Sequence, residues 1–451
     1  MVGAERIPAK GGALLIANHY NSIVDPLILQ ASLPRWVTFC AAEFLFRGPL
    51  GGFMRRLGMI PIFRSSDRHD PTKNLESFRR CFEAFEEGRV VAIFPEGVSH
   101  NESHLLKLKS GAARIFFGAH EHHRAKGAGP LALALIPVGL VFEAKSRFQS
   151  RVTVVVGAPI DPTLWLAMAT EKPQRATREL TNQLQHALER ETFSQESWDD
   201  YRFVDRLTQL CAGARAELGL PADEETSPER EIALRRSIRD TFLELSERDP
   251  QALRPLRTLV TTHCATLERL GITDRHVREN HTPRKIARFV LRHLETTALG
   301  WPLALYGIAN NGLGYLAVKT GARLLSPRGL DGKPREDQQS TVKIYHGTAI
   351  FVVIMLVQTA LVTWACTARG WPAWFGVLYF LSLPVSGWYA TGFLERRRQA
   401  HQSAWAFALL KTRARLRDAL RQRRARILDE LRKIMDQAKV PNSEKSTPLS
   451  P

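Results

Sequence analysis

The sequence predicts an α/β domain that leads into a helical domain, a pair of membrane-crossing segments and a basic C-terminal helix. Three observations carry this. Within residues 1–172, short apolar runs alternate with stretches of helical periodicity, the pattern of a sheet covered on both faces. From residue 173 the composition turns rich in Arg, Glu and Leu at helical spacing. Between 346 and 394 lie two long stretches almost free of charge, each long enough for a bilayer core that takes about 20 apolar residues.

Taken in order, Leu14–Ala17, Val90–Phe94, Leu131–Val141 and Val152–Val156 read as buried strands, with Thr72–Glu87 and Lys109–His120 as helices between them. Residues 173–345 form the helical domain. Arg178–Arg190, Tyr201–Glu217 and Glu229–Arg248 carry helical periodicity, and no chemistry is legible in them beyond packing faces and solvated faces. Leu299–Val318 is a weaker apolar stretch containing Asn310 and Asn311; it reads equally as a shallow membrane segment or a soluble helix pair. Thr348–Cys366 and Trp371–Leu394 are the two spans of a hairpin over 346–394. Trp364, Trp371, Trp374, Trp388 and Tyr389 lie near their ends, where amphipathic rings favour the membrane–water interface.

The formal charge is +18 over 451 residues. Such an excess attracts anionic partners: lipid headgroups, phosphorylated substrates, coenzyme A or nucleic acid. Placement decides among them. Lys343 precedes the hairpin, Arg396, Arg397 and Arg398 follow it, and Arg369 is alone in the turn. The positive-inside rule therefore puts both flanks in the cytoplasm. From Ala400 to Asp436, Leu409, Leu416, Leu420, Ile427, Leu431 and Ile434 recur among arginines at helical spacing. Residues 395–451 read as a basic amphipathic helix for an anionic membrane surface, or alternatively as a packing helix, with a disordered tail from Pro441. A bilayer hairpin directly before it argues against nucleic acid as a partner. The five cysteines are scattered and never spaced as CxxC, which argues against a disulfide framework and fits a reducing compartment. No signal peptide precedes the first strand, and the start is abrupt.

The chemistry concentrates in four places. In Asn18-His19-Tyr20-Asn21-Ser22-Ile23-Val24-Asp25-Pro26, His19 follows directly on an apolar strand and Asp25 stands at a helix start. A strand–turn–helix can bring the two side chains together. An alcohol is too weak an acid for imidazole to deprotonate beforehand, so the histidine must take the proton as the new C–O bond forms. A carboxylate beside it fixes the tautomer and stabilises the imidazolium. Phe94-Pro95-Glu96-Gly97-Val98-Ser99-His100 follows a buried strand, and its Pro and Gly enforce a turn at which backbone can approach a ligand. Arg64 ends a short strand in Gly58–Arg64 and can clamp a phosphate. Ile136–Leu140 has no reactive group and reads as a wall. The clusters His100, Glu102, His104 and His120–His123 lack HExxH spacing and read as solvated loops, so no metal site is expected.

Together, in this order, these segments resemble the glycerophospholipid acyltransferase family: Asn-His-x4-Asp, with five residues instead of four between His19 and Asp25 in this chain, Gly-x-Ile-Pro-x-x-Arg, Phe-Pro-Glu-Gly and a Val-Pro-Val-type segment, here over roughly residues 1–160. The resemblance implies a glycerolipid acyltransferase-like αβ fold. His19 is then the general base and Asp25 its partner, Arg64 binds the acceptor's phosphate, and Glu96, Gly97 and Ser99 line the acceptor site. The acyl donor is acyl-CoA or acyl-carrier protein, a co-substrate rather than a bound cofactor. Many relatives continue Phe-Pro-Glu-Gly with Thr-Arg-Ser; here Val98-Ser99-His100 stands instead, which leaves Lys107 or Lys109 to supply the missing charge. The Ser-His ending is similar to the subgroup acylating glycerol 3-phosphate or dihydroxyacetone phosphate, ahead of lysophosphatidate. Relatives usually carry more chain before the first strand, so further upstream sequence is expected. Two other functions use the same features: a transacylase or hydrolase on the same site, and a non-enzymatic membrane scaffold.

Overall fold

The computed structural model describes residues 1–47, 51–63, 72–143, 150–218, 227–278, 283–326 and 336–439. They fall into two units, Met1–Tyr201 with Ala322–Tyr345, and Arg202–Gly321 with His346–Pro451. Arg64 and the tail from Pro441 lie outside the described residues.

The first unit runs β1 (Gly12–Ala17), α1 (Val24–Ser32), β2 (Val37–Ala42), α2 (Gly51–Arg56), β3 (Ile60–Ile62), α3 (Thr72–Glu86), β4 (Val90–Ile93), α4 (Gly111–Ala125), β5 (Leu133–Phe142), β6 (Val152–Val156), α5 (Thr163–Glu171) and α6 (Pro173–Thr192). The strands form one sheet in the order β3-β2-β4-β1-β5-β6. All pairings are parallel except β5 with β6. Every residue of β1 is buried, as expected for a central strand covered on both faces. Alternation sorts its side chains: Leu14 and Ile16 join Cys81, Phe116 and Leu184 on the face of α3, α4 and α6, while Ala13, Leu15 and Ala17 join Leu29 and Phe39 on the face of α1. β2 was not foreseen in the sequence. Its Val37-Thr38-Phe39-Cys40-Ala41-Ala42 is too mixed to stand out, yet it pairs with β4 on one side and β3 on the other.

Two readings of this region are corrected. The first unit extends past residue 172, because Leu180, Leu184 and Leu188 of α6 pack into the sheet's core. His120, His122 and His123 are on α4 rather than in a loop, and His123 bonds to Glu86 of α3. No group of three or more potential metal ligands occurs among the described residues.

The remaining helices are α7 (Trp198–Gly213), α8 (Pro228–Arg248), α9 (Pro250–Leu270), α10 (Asp274–Arg278), α11 (Pro283–Leu325), α12 (Glu336–Thr367), α13 (Trp374–Thr412) and α14 (Ala414–Lys439). In the second unit, Phe203, Leu207, Phe242, Leu256 and Val260 share one core with Ile427, Leu428, Leu431 and Ile434 of α14. The apolar stripe of the basic C-terminal helix is therefore buried in protein, and the packing alternative, not the membrane-surface one, describes it. The preceding part of the stripe, to Leu409, lies on α13, which ends before a break at Arg413.

Two helical stretches, Val342–Thr367 and Trp374–Thr412, are long and apolar enough to cross a membrane. Val353, Leu361, Trp364, Val385 and Trp388 on them are exposed. The Leu299–Val318 stretch is part of one continuous helix, α11, not a helix pair. Its small residues approach both apolar helices: a Cβ on Gly307 would meet the Ser386 carbonyl at 2.2 Å, and one on Gly347 of α12 would meet Val318 at 2.9 Å. Its amides are satisfied there. Asn310 accepts from Tyr379 Oη at 2.5 Å, Gln358 donates to the Asn310 carbonyl, and Asn311 donates to the Leu383 carbonyl.

Candidate active site

His19 and Asp25 sit on the connection from β1 to α1. The strand's ladder with β5 runs as far as Ala17 opposite Val138. The Asn18 side chain then continues it, donating to the Leu140 carbonyl at 3.1 Å and accepting its N–H at 2.7 Å. The chain turns through Ser22, which adopts a left-handed φ of 47°, and enters α1 with Asp25 in its first turn. The N-cap of α1 is Ile23, not Asp25. The Asp25 Oδ2 faces back to His19 Nδ1 at 2.8 Å and also accepts the Asn21 N–H at 2.8 Å. A carboxylate on Nδ1 keeps that nitrogen protonated, leaving Nε2 with the free lone pair. The imidazole stacks on Phe94, ring centres 4.4 Å apart.

Glu96 organises the surroundings. The carboxylate, 2% exposed, accepts the His19 N–H at 2.6 Å, the Leu106 N–H at 2.9 Å and the ring of His100. His100 Nδ1 accepts the Glu102 N–H, so Nε2 carries the proton given to Glu96. The His100 N–H in turn bonds to the His19 carbonyl. Both backbone groups of His19 are thereby held by the Glu96–His100 pair. Tyr20 packs edge-on against His100; burial, followed by the nearby Glu96 charge, pushes its phenol well above the usual range, and it stays neutral. His100 was read from sequence as a solvated residue. The signal that can find it is the i, i+4 spacing with Glu96 across a Pro-Glu-Gly turn.

His19 opens on a cavity of ≈ 1160 Å³. Trp36, Phe39, Phe53, Met54, Met59 and Phe78 are among its mainly apolar walls. Gly97, Ser99 and Lys109 line the same cavity. Gly97 has a φ of +74°, which favours glycine, and a Cβ there would meet the mobile tip of Lys109, its ammonium, at 2.6 Å. Glu96 is not among the lining residues; its carboxylate is turned inward beneath them. Lys107 lines a neighbouring groove instead. The structure thus joins His19 and Asp25, gathers Gly97, Ser99 and Lys109 beside them, and separates Lys107. An imidazole base held by a carboxylate, next to a lysine and an apolar cavity, suits proton removal from an anionic alcohol in the presence of a hydrocarbon chain.

Residues 1–141, the region bearing the dyad, match the protein-family model described as Acyltransferase. A stretch of 213 residues is 25% identical to glycerol-3-phosphate O-acyltransferase 2 of Saccharomyces cerevisiae, covering 47% of this chain and 26% of that protein. Another of 113 residues is 29% identical to the 1-acyl-sn-glycerol-3-phosphate acyltransferase of Bacillus subtilis, covering 25% of this chain and 52% of that one. The chain thus spans about a quarter of the yeast relative and about half of the bacterial one. Among solved structures, the 1-acyl-sn-glycerophosphate acyltransferase PlsC of Thermotoga maritima is similar at 18% identity with a TM-score of 0.29, over 41% of this chain and 67% of that one. The fold described above rests on strand order and register, not on that superposition.

Proposed function

We propose that this protein is a glycerolipid O-acyltransferase that moves a fatty acyl group from a thioester donor to the hydroxyl of a glycerophosphate-type acceptor. The observation that carries the reading is the His19–Asp25 pair, 2.8 Å apart, at an apolar cavity that also holds Lys109. In the reaction, His19 Nε2 removes the hydroxyl proton as the oxygen attacks the thioester carbonyl. Asp25, on Nδ1, stabilises the imidazolium that forms. Collapse of the tetrahedral intermediate breaks the C–S bond, and the imidazolium returns the proton to the departing thiolate. No enzyme nucleophile is needed. Lys109, beside Gly97, pairs with the acceptor's phosphate, and the apolar walls take the acyl chain. Arg64 is a further candidate for that phosphate.

The favoured acceptor is glycerol 3-phosphate or dihydroxyacetone phosphate, with lysophosphatidate next. The protein is proposed to be bound to a membrane through α12 and α13, with the acyltransferase domain in the cytoplasm, where the flanking cations belong. The acceptor is tested by acyl transfer to each of the three in parallel. Lys109→Ala is expected to raise the acceptor KM at least tenfold with a smaller effect on kcat, since it removes a charge-assisted contact worth about 1.5–3 kcal/mol. An unchanged acceptor KM removes Lys109 from this role.

A further inference from the structure

The proposed reaction brings two anionic molecules to one domain, the acceptor with its phosphate and the donor with its carrier. The structure holds two sets of cations that meet at Arg114. Lys109 belongs to the catalytic cavity. Lys107, Arg114 and Arg178 line an adjoining groove of ≈ 960 Å³ between the loop before α4, α4 itself and α6. No aspartate or glutamate lines that groove. Lys107 and Arg178 are exposed and make no ion pair among the described residues, and Arg114 is engaged only with the face of Phe78. Unpaired cations gathered around one concavity, with no carboxylate to neutralise them, are a field for a polyanion.

Two further features give the field a direction. Ser110 and Arg114 line both the groove and the catalytic cavity, so the two are continuous. α4 also begins there: Ser110 is its N-cap and makes no side-chain cap, which leaves the first amides and the positive end of the helix facing the junction. Arg178 comes from α6, beyond the residues that match the family model.

We infer that this groove binds the phosphates of a coenzyme A-type acyl donor, leaving Lys109 to the acceptor. The geometry follows from what the donor must do. Its thioester has to reach His19 and its acyl chain the apolar walls. Its adenosine phosphates, which are highly charged, have to remain outside in a polar site reached from that cavity. The groove meets all three conditions at the Ser110–Arg114 junction. The inference rests on the proposed acyltransferase reading and names its donor class.

The test separates the two. Full-length protein in detergent is titrated calorimetrically with free coenzyme A, without acyl group or acceptor, so no turnover is needed. Lys107→Ala/Arg178→Ala is compared with wild type; both side chains are exposed, and an unchanged thermal unfolding profile certifies the variant's fold. Lys107→Glu/Arg178→Glu provides a charge-reversed second variant. The expected result is coenzyme A binding that weakens with salt, falls about tenfold or more in the first variant, and falls further in the second. Equal affinity in all three proteins overturns the assignment. So does absence of coenzyme A binding by wild type; loss of transfer from acyl-carrier protein in the same variants would then give the groove to an acidic carrier surface. Failure of wild type to transfer from any donor sinks the acyltransferase reading instead, whatever the binding result.

Discussion

At the scale of single residues, the account depends on which nitrogen of His19 holds a proton. His19 Nδ1 and the Asn21 N–H share one oxygen of the Asp25 carboxylate, and this fixes Nδ1–H toward Asp25. Asp25→Asn keeps the shape but favours the wrong tautomer. A fall in kcat on the order of 10²–10⁴ is expected, with the acceptor KM little changed; a loss below fivefold contradicts the dyad. Glu96 acts at one remove, as a positioning residue. Glu96→Gln leaves at least one of the Leu106 N–H, His19 N–H and His100 ring donors poorly matched in a buried site, and about 1–3 kcal/mol of stability should go. The readout beyond stability is a lowered kcat that His100→Gln partly shares, since the His100 ring holds the Glu96 carboxylate that accepts the His19 N–H. Asn18-His19 with Asp25 six positions on, and a Phe-Pro-Glu-Gly turn, are legible as candidates because each residue type has few other reasons to occur there. The inward orientation of Glu96 is not, because spacing gives no direction to a side chain at a turn.

At the scale of elements, α14 is held to the helical core by charge as well as by its apolar stripe. Arg424, 7% exposed, bridges Glu217 at 2.7 Å and Asp274 at 3.2 Å, and Asp274 also meets the buried ring of His263. Burial raises the Asp274 pKa, but the His263 hydrogen bond and the Arg424 charge outweigh it and hold the carboxyl below its ordinary value. A depressed folded-state pKa contributes stability above the unfolded value, and that contribution disappears as pH falls through the folded one. The helical unit should therefore loosen below about pH 4. In an Asp274→Asn variant this part of the acid sensitivity should vanish, as followed by helical circular dichroism. The periodicity of α14 was clear from sequence, but periodicity does not say whether lipid or protein covers the apolar face. The same limit applies at α6: the change of composition at residue 173 marks no change of unit, because Leu180, Leu184 and Leu188 pack into the sheet's core.

The packing of α14 also constrains the membrane topology. α9 and α14 share one core, so the chain crosses a bilayer an even number of times between them. In the proposed membrane-bound form α12 and α13 supply two crossings, which leaves none to α11. α11 touches both, Val318 beside Gly347 and Asn310 bonded to Gln358 on one side, Gly300 beside Phe393 and Asn311 bonded to Leu383 on the other. α12 and α13 meet at their turn, where a Cβ on Gly376 would meet the Thr363 hydroxyl at 1.9 Å. A cysteine placed at Gly370, read with an impermeant thiol reagent in sealed vesicles, should label on the face opposite to the native Cys264 of α9. Labelling on one face contradicts two crossings.

At the scale of the whole molecule, the greasy and anionic halves of the proposed chemistry match the chain's own division into apolar helices and cationic surfaces. Val353 and Leu361 are exposed on α12 and belong to no core, so Val353→Glu/Leu361→Glu should release the protein from membranes while leaving its thermal unfolding intact; retained sedimentation with membranes counts against the hairpin. Acyl transfer by purified protein tests the central claim most directly. Labelled acyl-CoA is offered with glycerol 3-phosphate, dihydroxyacetone phosphate and lysophosphatidate in parallel, beside His19→Ala. The account predicts transfer to one of these acceptors that is lost in the variant. Transfer that survives His19→Ala, or none from either acyl-CoA or acyl-carrier protein by folded wild type, would contradict it.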